Sequence, residues 1–139
     1  MNPEEKERVM MKTPSTAALE KIYGESEVSR KRYESLAENF EKMFHSDKME
    51  FFTAPGRTEI VGNHTDHNGG KILAASISMD TIGAAYPSGD DTVTIVSEGY
   101  AGKVVIDLKK LADVPKNRGT LSLVAGMLTA AKKAGFQVA

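Results

Sequence analysis

The 139 residues contain no cysteine, which removes disulfides, thiolate catalysis and cysteine-rich zinc sites at once. Charge of one sign is also missing. Eighteen Lys and Arg against nineteen Asp and Glu leave a net charge of −1, so there is no electrostatic footprint for nucleic acid or an anionic membrane. No stretch approaches the ~20 apolar residues of a membrane helix. The opening MNPEEKERVMMKTP carries no apolar run of secretory type. These absences point to a soluble, cytoplasmic protein, with residues 1–14 as a flexible leader. The length suits one domain able to bury a core.

What is present reads as α+β, a mostly antiparallel or mixed sheet with flanking helices. Ser15 is placed to cap a short helix ending at Tyr23, and Gly24 supplies a left-handed stop. A longer helix is predicted over 27–44. Tyr33, Leu36, Phe40, Met43 and Phe44 share one face, and Arg30–Glu34 and Lys31–Glu34 pairs lie on the solvated side. Residues 49–53 and 58–61 read as short strands separated by Pro55-Gly56. Three more strands are expected at 79–86, 92–97 and 103–108, joined by turn-rich links of hairpin type. A last helix should run over 120–134, with Leu121, Val124, Leu128 and Ala131 inward, Lys132 and Lys133 in its final turn and Gly135 just past it. Phe136–Ala139 reads as an opening strand without a partner, so the sheet is expected to continue beyond residue 139.

The chemistry concentrates in Ile60-Val61-Gly62-Asn63-His64-Thr65-Asp66-His67-Asn68-Gly69-Gly70. One reading is metal binding, since HTDH resembles part of the HxHxDH motif of metallo-β-lactamase-fold zinc hydrolases. Imidazole and carboxylate suit zinc. The first histidine of that motif falls on Gly62, however, no histidine follows His67, and His45 precedes the strands. A binuclear site cannot be assembled from these ligands, and no metal is expected.

The other reading is a sugar site. A pyranose presents several hydroxyls, each both donor and acceptor, and needs charged or amide groups converging from a rigid turn. Arg57 offers five donors, Asp66 two acceptor oxygens, and Asn63 both kinds of group. Gly62, Gly69 and Gly70 would let backbone approach the ring. Over nineteen residues, Phe52-Thr53-Ala54-Pro55-Gly56-Arg57 through Gly62-Asn63-His64-Thr65-Asp66-His67-Asn68-Gly69-Gly70, the chain resembles the galactokinases of the GHMP kinase superfamily. Their signature runs approximately PGRxxxxGEHTDYxxG. YGES, RYESLAENFEKMF and GTLSLVAGML fall where similar segments lie in that family.

The resemblance implies the N-terminal part of a GHMP-kinase fold (ribosomal protein S5 domain 2-like), with residues 1–139 as a galactose-binding portion. It implies Arg57 as the catalytic residue, close to the sugar's anomeric oxygen and the transferred phosphoryl group, and Arg57, Asn63, His64 and Asp66 as substrate-binding residues. The plain structural alternatives are an ion pair for Arg57, with Glu59 or Asp66, an Asx-turn for Asp66, and ordinary packing for His64. His67 stands where tyrosine is common and is assigned no role. Asn63 replaces the usual glutamate; neutral and shorter, it should hold the sugar's hydroxymethyl end less strongly. The intact enzyme would use ATP and magnesium. The phosphate loop GxGLSSSA, the catalytic aspartate beyond it and the third glycine-rich motif are absent from these 139 residues. The chain alone is therefore expected to be inactive and to act with the remainder of a galactokinase. A non-catalytic galactose sensor of the same origin is the competing class.

Overall fold

A computed structural model describes residues 13–62, 65–117 and 119–138, and for Asp66 the backbone only. The expected leader thus lies outside the described residues except for Thr13, which is buried, and Pro14. Among the described residues there are three α-helices and two antiparallel two-stranded sheets, an α+β arrangement. They form two compact units, residues 1–86 and 87–139.

In the first unit, α1 (Thr16–Tyr23) starts where the Ala18 N–H donates to Ser15 Oγ at 3.3 Å and stops at Gly24, φ 74°. Helix α2 (Glu27–Phe44) follows. Its first turn is satisfied by a side chain that the sequence pattern did not single out. The Glu25 carboxylate accepts from the Val28 N–H at 2.9 Å, the Ser29 N–H at 3.1 Å and the Ser29 hydroxyl at 2.5 Å. The Ser29 hydroxyl bond is the main cause holding the Glu25 carboxyl below its ordinary value. The inward face of α2 is Ser29, Tyr33, Ala37 and Phe40. Phe40 packs on Phe44 and Tyr86 at centroid distances of 4.8 and 5.6 Å. The surface pairs differ from expectation: Lys31 reaches Glu27 at 3.0 Å, one turn earlier, and Arg30 donates to Thr16 Oγ1.

The strands correct the sequence reading. Residues 50–61 form one strand, β1 (Glu50–Val61), rather than two, and β2 (Leu73–Ala85) begins six residues before the expected strand start. Pro55-Gly56 does not break β1, because the ladder shifts register between Pro55 and Arg57 and absorbs the irregularity as a bulge. Gly56 also fills a close approach, where an added Cβ would stand 3.1 Å from Ile77 and 3.2 Å from the Met79 carbonyl. Because β1 takes β2 as its partner, the 87–91 link is not a hairpin turn. Alternation turns Phe51, Thr53, Asp80 and Ile82 toward the helices and Phe52 and Met79 to the exposed face. Phe51 meets Tyr33 edge-on at 5.3 Å.

The second unit holds β3 (Thr92–Val96) antiparallel to β4 (Lys103–Asp107), with Thr92 opposite Asp107, and α3 (Thr120–Lys133). Ile106, Leu108 and Ala125 are its buried centre. Leu121, Val124, Leu128 and Ala131 are half-buried, as their spacing predicts. Helix α3 ends in a Schellman motif: the Gly135 N–H bonds the Lys132 carbonyl and the Phe136 N–H the Ala131 carbonyl, with Gly135 at φ 86°. This use of Phe136 replaces the expected strand, and residues 136–138 carry none. Lys132 reaches back to the Leu108 carbonyl at 2.9 Å.

Candidate functional site

The candidate residues lie on the end of β1 and on the loop that joins it to β2. Arg57 stands just after the bulge, opposite Ser76, in the regular stretch Arg57-Thr58-Glu59 that faces Ser76-Ala75-Ala74. Its side chain is 74% exposed and donates from Nη2 to Glu59 Oε1 at 3.2 Å, while Glu59 is only 17% exposed. Of the two ion-pair partners weighed from sequence, the structure displays Glu59. Among the described residues a single guanidinium nitrogen, Nη2, is engaged.

Beyond Glu59 a second register shift leads to the last pair, Val61 with Leu73, and Gly62 turns the chain at φ 88°. The loop closes on its own backbone. The Gly62 carbonyl accepts from the Thr65 N–H at 3.1 Å and from Thr65 Oγ1 at 2.7 Å. The Thr65 carbonyl accepts from the Asn68 N–H at 3.1 Å and the Gly70 N–H at 2.8 Å. Residues Asp66–Asn68 form one turn of 3₁₀ helix inside this frame.

Two of the three glycines meet the loop itself at close range. A Cβ on Gly62 would lie 2.2 Å from the Lys71 carbonyl, and one on Gly70 would lie 2.6 Å from Thr65 Cβ. Their missing side chains make room for the loop itself. Gly69, at φ 74°, faces open space.

Of the four predicted site residues, Arg57 is fully described and Asp66 is placed by its backbone in the 3₁₀ turn. Asn63 and His64 lie outside the described residues. His67 is exposed. No group of three or more His, Asp or Glu able to hold a metal occurs among the described residues. Glu59 was weighed from sequence as an ion-pair partner and not as a site residue. Its two-residue spacing from Arg57 on a strand was the available signal, since such positions share a face.

The family profile described as the galactokinase galactose-binding signature matches residues 38–87, from the last turns of α2 through β1, the loop and β2. Among curated proteins, the galactokinase of Lactococcus lactis subsp. cremoris is 37% identical over 107 residues, covering 75% of this chain and 27% of its own. That of Dictyostelium discoideum is 43% identical over 66 residues, 47% of this chain and 13% of its own. That of Lactiplantibacillus plantarum is 32% identical over 104 residues, 73% and 27% respectively. The chain is a homologue of the N-terminal region of galactokinases. It spans about a quarter of the length of the Lactococcus relative it matches. No solved structure matches the chain.

The matched stretch covers α2's end and the whole β1–β2 ribbon, so the galactokinase signature is the first unit's sheet with its loop. Neither helix of the first unit opens on a free site for a nucleotide phosphate. The N-terminus of α1 is occupied by Ser15 and that of α2 by the Glu25 carboxylate, which would repel an anion. Helix α3 opens at Gly119, after Arg118 in the sequence, without the run of serines a phosphate loop needs. No helix among the described residues is long and apolar enough to cross a membrane.

Proposed function

We propose that this chain supplies the galactose-facing part of a galactokinase that transfers the ATP γ-phosphoryl group to the C1 hydroxyl of galactose in the cytoplasm. The observation that carries the reading is the galactose-binding signature lying on a backbone-closed loop, with an exposed arginine at its root. In this proposal Asp66 accepts from adjacent ring hydroxyls, and Asn63 and His64 contact the sugar. Arg57 stands by the anomeric oxygen, where a fixed guanidinium stabilises charge as the phosphoryl group moves. Main-chain bonds close the loop among the described residues, and in this reading its polar side chains serve the ligand.

ATP, magnesium and the base that takes the C1 proton belong, in this reading, to the remainder of the protein. These 139 residues by themselves then turn over no ATP. The test is titration calorimetry of D-galactose on the wild-type chain and on Asp66→Asn, with a coupled ATPase assay beside it. Sugar-dependent heat that Asp66→Asn removes, without turnover, is the expected result. Equal heats for both proteins would remove Asp66 from the site, and galactose-dependent ATP turnover by the chain would refute its dependence on a missing part. Asn63→Glu should tighten galactose, because a charged acceptor contributes roughly 1.5–3 kcal/mol where a neutral one gives about 1.

A further inference from the structure

We infer that Glu59 is a positioning residue for Arg57, holding the guanidinium at the root of the loop while leaving most of its donors for ligand; this rests on the sugar-site reading above. Arg57 emerges from the strand largely exposed, and an arginine so placed samples many rotamers. A site that needs its charge at one point must restrain it.

The sequence around it gives few means of doing so. The residues across the ladder are Ser76, Ala75 and Ala74, small and uncharged. They leave room for long side chains and offer no competing charge. Glu59 lies two residues along β1, on the same face, and its Oε1 accepts from Arg57 Nη2 at 3.2 Å. The two ends of this pair differ in the way an anchor and a working group should. Glu59 is nearly buried and so fixed in place, while Arg57 reaches outward.

The second carboxylate oxygen, Glu59 Oε2, is enclosed and meets no donor among the described residues. An enclosed carboxylate oxygen without a donor is costly, which gives the carboxylate reason to keep the Arg57 cation. Among the described residues Glu59 engages Nη2 alone, which leaves Nη1 and Nε as donors for a sugar or phosphoryl oxygen in this inference. Glu59 acts through Arg57 and needs no contact with ligand of its own.

Phenylglyoxal labelling, mapped to individual arginines by peptide mass spectrometry, tests this on the chain itself. The reagent adds across the two terminal guanidinium nitrogens, so a nitrogen held on a carboxylate is shielded. Arg30 and Arg32, bound to Thr16 and Asp80, are internal controls for the fold. Glu59→Gln should raise labelling of Arg57 about twofold to fivefold, the scale of an exposed ion pair, and leave Arg30 and Arg32 unchanged. An unchanged Arg57 rate overturns the inference.

If Glu59→Gln also raises labelling at Arg32, the fold has loosened, and Glu59→Asp decides instead. Its shorter arm should free Arg57 alone, and an Arg57 rate equal to wild type then overturns the inference. In a second arm, D-galactose should slow Arg57 labelling in the wild-type chain and do so less in Glu59→Gln. Equal protection of both proteins overturns the positioning role. Absence of protection in the wild-type chain counts against the sugar-site reading instead. It is read separately, because the ligand-free rates report the hold of Glu59 on Arg57 without any sugar.

Discussion

Within the 1–86 unit, the interface of the ribbon with the helices and the loop at the ribbon's end are held by opposite means. At the interface, Asp80 is 4% exposed and gathers three side chains. Arg32 Nη2 donates to Oδ1 at 2.7 Å, and the Tyr23 and Thr53 hydroxyls donate to Oδ2 at 2.6 and 2.5 Å. Tyr23 and Tyr33 meet at 3.1 Å beside them. At the loop, the closing bonds among the described residues come from main chain and one threonine. The interface spends its polar side chains on stability, whereas the described closure of the loop rests mainly on its main chain.

The contrast is broken most severely at Asp80. Asp80→Ala removes the common acceptor of Arg32, Tyr23 and Thr53 and leaves their donors to find water or nothing. Arg32 is 37% exposed and can rehydrate, so the loss should fall at the lower end for a broken buried pair, about 3 kcal/mol. Urea denaturation measures it. A loss under about 1 kcal/mol would mean that the cluster is no clip between α1, α2 and β2.

The next effect is at the loop's glycines. Gly62→Ala places a Cβ 2.2 Å from the Lys71 carbonyl at φ 88° and should cost about 2 kcal/mol and abolish galactose binding. Gly69→Ala shares the positive φ but meets open space, so only the backbone term of about 1 kcal/mol applies. Equal costs at the two positions would show that the loop does not depend on the close approach at Gly62.

Acidity separates the two regions further. Burial alone would raise the Asp80 carboxyl, but hydrogen bonds from Thr53, Tyr23 and Arg32 outweigh it and hold it below the ordinary 3.8. A folded value below the unfolded one gives stability that is present above pH 3.8 and is lost as pH falls through the folded value. Tyr33 is shifted the other way, up from 10.0, first by burial, then by the Tyr23 hydrogen bond and the Asp80 charge. Its contribution is present below pH 10.0 and is lost as pH rises above it. Urea midpoints should therefore decline at both extremes in the wild type. Asp80→Asn should flatten the acid limb.

How much of this was legible follows from range along the chain. Helices α1, α2 and α3 were readable because caps and apolar spacing are local: Ser15, Gly24 and Gly135 do what their residue types predict. The ribbon was misread because Pro55-Gly56 is a local break signal, and the partner strand that converts it into a bulge lies about twenty-five residues away. Asp80 looked like any strand-edge aspartate, since its three donors come from residues 23, 32 and 53. The loop itself was legible as a motif. The close approach at Gly62 was not, because the Lys71 carbonyl that crowds it lies on the far side of the loop.

The smallest expected change in stability is at Arg57, and it sharpens the comparison most. The Arg57–Glu59 pair joins an exposed cation to a nearly buried carboxylate, and its removal from the exposed side should alter stability by less than about 1 kcal/mol. Arg57→Gln keeps a hydrogen-bond donor for Glu59 and is the milder of the available changes. Its urea midpoint should stay within error of wild type while galactose affinity falls, a separation that Asp80→Ala cannot produce because it acts on the scaffold. If Arg57→Gln instead costs stability and leaves affinity intact, Arg57 belongs with the ribbon's structural pairs. The division between a region that stabilises and a region that binds would then lie further along the loop, beyond Gly62.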